Sequence, residues 1–246
     1  MMMESETGTG REDGQRSYLN RHLVRDLEVL WGEVLKLAAV VETALRSSVQ
    51  ALCSGKTELA DEVRAEEPAI DHWQVRIEQD CLRILALHQP VASDLRLVTS
   101  ALKISYDLER MGDLAAHIAK RARKLARRTD PVPLPPQMEF LAVEALGQVR
   151  DALDALARGD TEMARQVIQG DRQIDRRRQL ILKDLKKSIR QEPGQVTNWL
   201  HLINIARNLE RIADHATNLA ETVVYVKEGT ILRRDEPQPQ PLTEPS

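Results

Sequence analysis

Four carboxylates recur in register along this chain. Glu109 and Asp113 are followed 101 residues later by Glu210 and Asp214, each pair inside a Leu-Glu-Arg-x-x-Asp signature. On a helix, residues four apart lie one above the other on the same face. Two like charges placed so repel by about 0.2–0.5 kcal/mol, a cost that a bound cation reverses in sign. All-oxygen carboxylate donors suit Mg, Mn, Fe or Zn better than soft metals. At about 100° per residue, Glu109, Asp113 and His117 form a stripe roughly opposite the apolar positions Ile104, Leu108, Met111, Ala115 and Ile118. Glu210, Asp214 and Asn218 hold the same places in the second copy.

An isolated E-x-x-x-D pair in a chain that is 30% charged is ordinarily solvated surface. This one recurs at the same repeat position and on the same face. Duplication alone would also preserve it, so the residues leave solvated surface and cation site both open. Upstream, Glu67 and Asp71 align with Asp171 and Asp175 at a shift of 104 and form weaker acidic pairs. Salt bridging to Arg172, Arg176 and their neighbours is the expected fate of the second pair. His117 and His215 are further ligand types within reach of the stripes, although a surface histidine commonly binds nothing. Two basic stretches, Lys120–Arg128 and Arg172–Arg190, read as solvated helix faces, with docking onto an acidic partner or membrane surface as the alternative.

The elements that position these groups are helices. Leu23, Leu27, Leu30, Val34, Leu37, Val41 and Leu45 recur at steps of three and four, the seam of a long amphipathic helix ending near Gly55. A second helix runs from about Thr57 to Gln89 with Glu67-Pro68 as a point of kinking. A third, capped by Ser93 or Asp94, runs to about Arg128. The second half repeats the plan over about 135–158, 160–191 and 196–228, punctuated by Gly159-Asp160 and Glu192-Pro193-Gly194. The expected organisation is a flexible tail over 1–16, a three-helix bundle over 17–129, a Pro-rich linker over 130–136, a second bundle over 137–228 and a disordered tail over 229–246. The fold class is therefore all-α, two tandem antiparallel three-helix bundles of a spectrin-like repeat.

Composition agrees. Hydrophobic residues at 42% supply a core, and aromatics at only 3% leave it to Leu, Ala, Val and Ile, which suits helices over sheets. The net charge of −3, with no aromatics among the basic residues, gives no field or stacking platform for nucleic acid. No apolar run is long enough to span a bilayer and the N-terminus lacks the apolar stretch of a signal peptide, so a soluble cytoplasmic protein is expected. Cys53 and Cys81, without a ligand pattern around them, read as small buried hydrophobes. An enzyme is not expected. None of the six histidines has Glu three residues before it, as core di-iron oxidases require, and no P-loop, GxGxxG or nucleophile–His arrangement is present.

Three segments carry a resemblance: Ser93-Asp94-Leu95-Arg96, then Asp107-Leu108-Glu109-Arg110-Met111-Gly112-Asp113, then Leu209-Glu210-Arg211-Ile212-Ala213-Asp214-His215-Ala216-Thr217-Asn218. Together they resemble the PhoU family of phosphate-uptake regulators, over about residues 18–228. That resemblance implies tandem three-helix bundles whose E/D-x-x-x-D motifs hold multinuclear clusters of iron or zinc, with Mg or Mn left open here. Carried over by motif position, the metal ligands are Glu109, Asp113, Glu210 and Asp214, joined by Glu67, Asp71, Asp171 and Asp175 from the neighbouring helices. The second copy departs, with Asn208 opposite Asp107, Asn218 opposite His117 and no counterpart of Ser93–Arg96, which leaves open whether both half-sites fill. The implied role is negative regulation, as an adaptor between the ATPase side of the phosphate ABC transporter and the phosphate-sensing histidine kinase, peripheral to the membrane through these partners and with a homodimer left open. A ligand-free helical scaffold and, more remotely, a carboxylate-bridged dimetal enzyme are the alternatives.

Overall fold

A computed structural model describes the backbone of residues 9–232 and the side chains of residues 21–232. The described residues form six long helices, α1 Thr9–Ser54, α2 Thr57–His88, α3 Ala92–Ala126, α4 Pro136–Arg158, α5 Thr161–Gln191 and α6 Val196–Glu228, with one 3-10 turn at Pro193–Gln195. The expected all-α architecture is present. Helix α1 starts at Thr9, inside the stretch expected to be a tail. With no proline before its seam, the helix propagates backward at the modest cost of Gly10 and Gly14. The rest of the two expected tails, 1–8 and 233–246, lies outside the described residues.

Punctuation follows the residues that impose it. Gly55, Gly159 and Gly229 take positive φ at helix ends, where a side chain is disfavoured. Asp160 caps α5, its carboxylate accepting from the Met163 N–H at 3.0 Å. Pro68 sits inside α2, which continues through it to His88. The cap expected of Ser93 or Asp94 is not made. Val91 occupies the N-cap of α3 without a side-chain bond, and Asp94 lies in the first turn, where a carboxylate meets the positive helix end. Of the cysteines, Cys81 is buried and Cys53 is exposed, because Cys53 falls off the Val49–Leu52 stripe that turns inward at the end of α1.

Helices α1, α2 and α3 pack pairwise, and so do α4, α5 and α6. The bundles are not separate bodies. Helix α3 also packs along α6, α1 touches α4, and the buried apolar residues of both halves form one continuous core. The two signature helices are antiparallel: Asp107 meets His215 and Asn218, while Arg121, Lys124 and Arg128 surround His201. Both therefore have neighbours on three sides. Among the described residues, no helix is long and apolar enough to cross a membrane.

Candidate metal centre

Three neighbours per signature helix change where its acids lie. Leu108 and Leu209 are core, as their periodicity requires. Glu109, Asp113, Glu210 and Asp214, expected on an open face opposite the seam, are instead half-buried on the flank where the second helix of each half packs. Crossing of α2 with α3 is tight: a Cβ on Gly112 would lie 2.9 Å from the Ile70 Cδ1. That contact sets Asp71, the next residue of α2, against Asp113, the next residue of α3.

Asp71, Glu109 and Asp113 converge, with one carboxylate oxygen of each within 4.8 Å of the others. Glu67, one turn earlier on α2, is not among the converging groups. Burial pushes the Glu109 carboxyl above its ordinary range. Asp113 pushes the same way, Arg110 opposes, Asp71 adds a smaller rise and His215 a smaller opposition. Arg110 is the nearby guanidinium, 3.5 Å from Glu109 and 3.4 Å from Asp113, but it is 60% exposed and its field is screened by solvent. Three hard oxygen donors on two rigid helices, short of positive charge, fit a Mg, Mn, Fe or Zn ion.

The second half is built differently. Glu210 is again raised by burial, but the next influence is Arg178, which lowers it, ahead of the raising fields of Asp214 and Asp175. Arg178 lies 2.8 Å from Glu210. Asp171 accepts a hydrogen bond from the Thr217 hydroxyl at 3.1 Å, and Gln148 donates to the same Thr217 oxygen at 3.0 Å. Arg177 forks onto Glu144 of α4 at 2.5 and 2.6 Å. The run Arg176-Arg177-Arg178 is thus only partly the solvated face it resembled. His215 donates to Asp107 at 2.8 Å across the α3–α6 junction, while His117 is exposed. Asp107 and Arg178 are neighbours of the candidate site that the spacing of the acids alone does not single out. Their signal was a break in the repeat, since Asn208 stands where Asp107 does and Gln74 stands where Arg178 does.

Comparison with known proteins now adds to the geometry. The family model of the PhoU domain matches this chain twice, over residues 34–122 and 139–223. The chain belongs to the PhoU family. The two matched segments coincide with the two bundles, so the internal repeat is a repeat of the family's unit. A relative from Pseudomonas putida, a phosphate-specific transport system accessory protein PhoU homolog, is 36% identical over 88% of this chain and 84% of its own length. A homolog of the same description from Aquifex aeolicus is 37% identical over 86% of this chain and 95% of its own. Among solved structures, PhoU from Pseudomonas aeruginosa superposes with a TM-score of 0.81 at 36% identity, covering 84% of this chain and 99% of that one. The phosphate transport system regulatory protein PhoU from Streptococcus pneumoniae gives 0.78 at 30% identity, covering 86% and 99%.

Proposed function

We propose that this chain is a negative regulator of phosphate uptake, an adaptor that engages the phosphate transporter on its ATPase side and the phosphate-sensing histidine kinase. In this reading a carboxylate-bound metal makes the α2–α3 face rigid enough to dock. The observation that carries the metal part is the convergence of Asp71, Glu109 and Asp113 on two helices locked together at Gly112. The regulatory part rests on family membership over both bundles and on the relatives' description as transport-system accessory proteins.

Asp71, Glu109 and Asp113 are the residues that would hold the metal, with Glu210, Asp214 and Asp175 as the corresponding set in the second half. A bound cation supplies the positive charge that the converging carboxylates lack. The chain's own contribution is placement: α3 fixes Glu109 and Asp113 one turn apart, and α2 brings Asp71 across to them. Half-burial of Glu109 and Asp113 strengthens their field relative to open solvent, while Asp71 closes the group from the exposed side.

Two measurements test the proposal. Elemental analysis of protein purified without chelator should show metal in the wild type and its loss in a Glu109→Ala/Asp113→Ala/Glu210→Ala/Asp214→Ala variant, and unchanged content sinks the site assignment. Cells lacking the gene should go on importing phosphate when it is abundant. Import that still shuts down normally overturns the regulatory role.

A further inference from the structure

Among the differences between the two acidic sites, one on the second helix of each half changes the charge that reaches the signature glutamate. The shift that sets Asp71 on Asp175 also sets Gln74 on Arg178. Gln74 is buried and turns along its own helix, donating to Glu78 at 3.1 Å. It brings no charge to Glu109 or Asp113. Arg178 takes the opposite course. Its side chain is only 23% exposed, one terminal nitrogen lies 2.8 Å from the Glu210 carboxylate, and its Nε is buried without a hydrogen-bond partner. A guanidinium keeps its charge at any pH a protein survives. Arg110, the corresponding influence in the first half, reaches its acids from the same helix and from the solvent side.

We infer that Arg178 is a resident cation that occupies the second-half acidic site, so that metal enters this chain through Asp71, Glu109 and Asp113 only. The inference rests on the metal-binding reading above and assigns it to one half. A divalent ion placed about 4 Å from a fixed guanidinium in a partly buried site meets repulsion that lowers its affinity by at least about a hundredfold. Displacing Arg178 does not avoid the penalty, because its partly buried stem and Nε would have to be rehoused. Gln74 imposes neither cost. One substitution between the copies has converted a duplicated ion site into one ion site and one internal salt bridge.

The test is titration of chelator-stripped protein with Zn²⁺ by calorimetry, with stoichiometry checked by elemental analysis. Wild-type binding should vanish in Glu109→Gln and persist in Glu210→Gln. Arg178→Gln should gain a second class of sites that depends on Glu210. Gln74→Arg should weaken the first class by about a hundredfold. Equal loss of metal from Glu109→Gln and Glu210→Gln, or no gain in Arg178→Gln, overturns the inference while leaving metal binding standing. Absence of Zn²⁺ binding in both wild type and Arg178→Gln overturns the metal reading itself.

A metal-free arm separates the two. In stripped protein Arg178→Gln should lower the melting midpoint by a few degrees, because it leaves the half-buried Glu210 without its ion-pair partner, and adding Glu210→Gln should restore it. A melting midpoint unmoved by Arg178→Gln removes Arg178 from the role of counter-cation, whatever the metal does.

Discussion

His201 shows how one side chain reports the electrostatics of the helix beside it. Burial lowers its pKa, and Lys124, Arg121 and Arg128, the basic end of α3, lower it further. The basic stretch thus acts on a neighbouring helix in the same direction as burial does. A histidine held below its unfolded value of about 6.5 binds fewer protons in the native state than in the unfolded one. Its full contribution to stability is therefore present above that value and is lost as pH falls through it toward the native pKa. Melting curves between pH 7.5 and 5.5 should show a decline that is shallower in His201→Gln, and parallel curves would show that the ring is not held low in the folded protein. At this scale much of the candidate site is legible in the sequence. The four signature acids stand out by their i, i+4 spacing, and Asp71 by its place in the repeat. Arg178 does not, because a run of three arginines looks like surface until the packing of α5 on α6 shows which one turns inward.

At the scale of elements, the crossing of α2 over α3 is what brings the three first-half carboxylates together, and Gly112 is what permits it. Alanine is worth about 1 kcal/mol more than glycine in a helix interior. Here the added methyl would meet Ile70 at 2.9 and 3.0 Å, at atoms of a β-branched side chain that is itself buried. Overpacking of this kind costs about 1–3 kcal/mol. The second half carries Ala213 at the corresponding place, so the requirement for glycine is local to the first crossing. Gly112→Ala should therefore lower stability by up to about 2 kcal/mol in chemical denaturation, and Ile70→Val in the same chain should recover part of it. A stabilised Gly112→Ala would mean that the helices are free to part. Helix positions are legible, since a 3.6-residue period and Gly/Pro punctuation mark the six elements to within a few residues except at the start of α1, where no breaker stands before the seam. What periodicity could not show is the number of neighbours a helix has. An expected outward stripe at Glu109 and Asp113 became a half-buried flank because α3 is covered on three sides.

For the molecule as a whole, the residues that break the repeat are the ones that join its halves. Asp107 faces Asn208 in the sequence alignment of the copies, His215 faces Leu114 and Asn218 faces His117. In space these exceptions meet: the Asp107 Oδ1 accepts from the His215 Nδ1–H at 2.8 Å and from the Asn218 amide at 3.3 Å. A symmetric pair would make this junction twice, but Asn208, Leu114 and His117 stand at the counterpart positions, so divergence after duplication has left it at one place. Asp107 is 8% exposed, and removing it would strand two donors at a place where water cannot readily replace it. Asp107→Ala should cost about 1–3 kcal/mol, and His215→Ala on top of it should add less than it does alone, since both delete one bond. Because a continuous core runs through both bundles, the loss should shift a single unfolding transition to lower denaturant. Two resolved transitions in Asp107→Ala would show instead that this contact, rather than the apolar core, is what makes the halves unfold together.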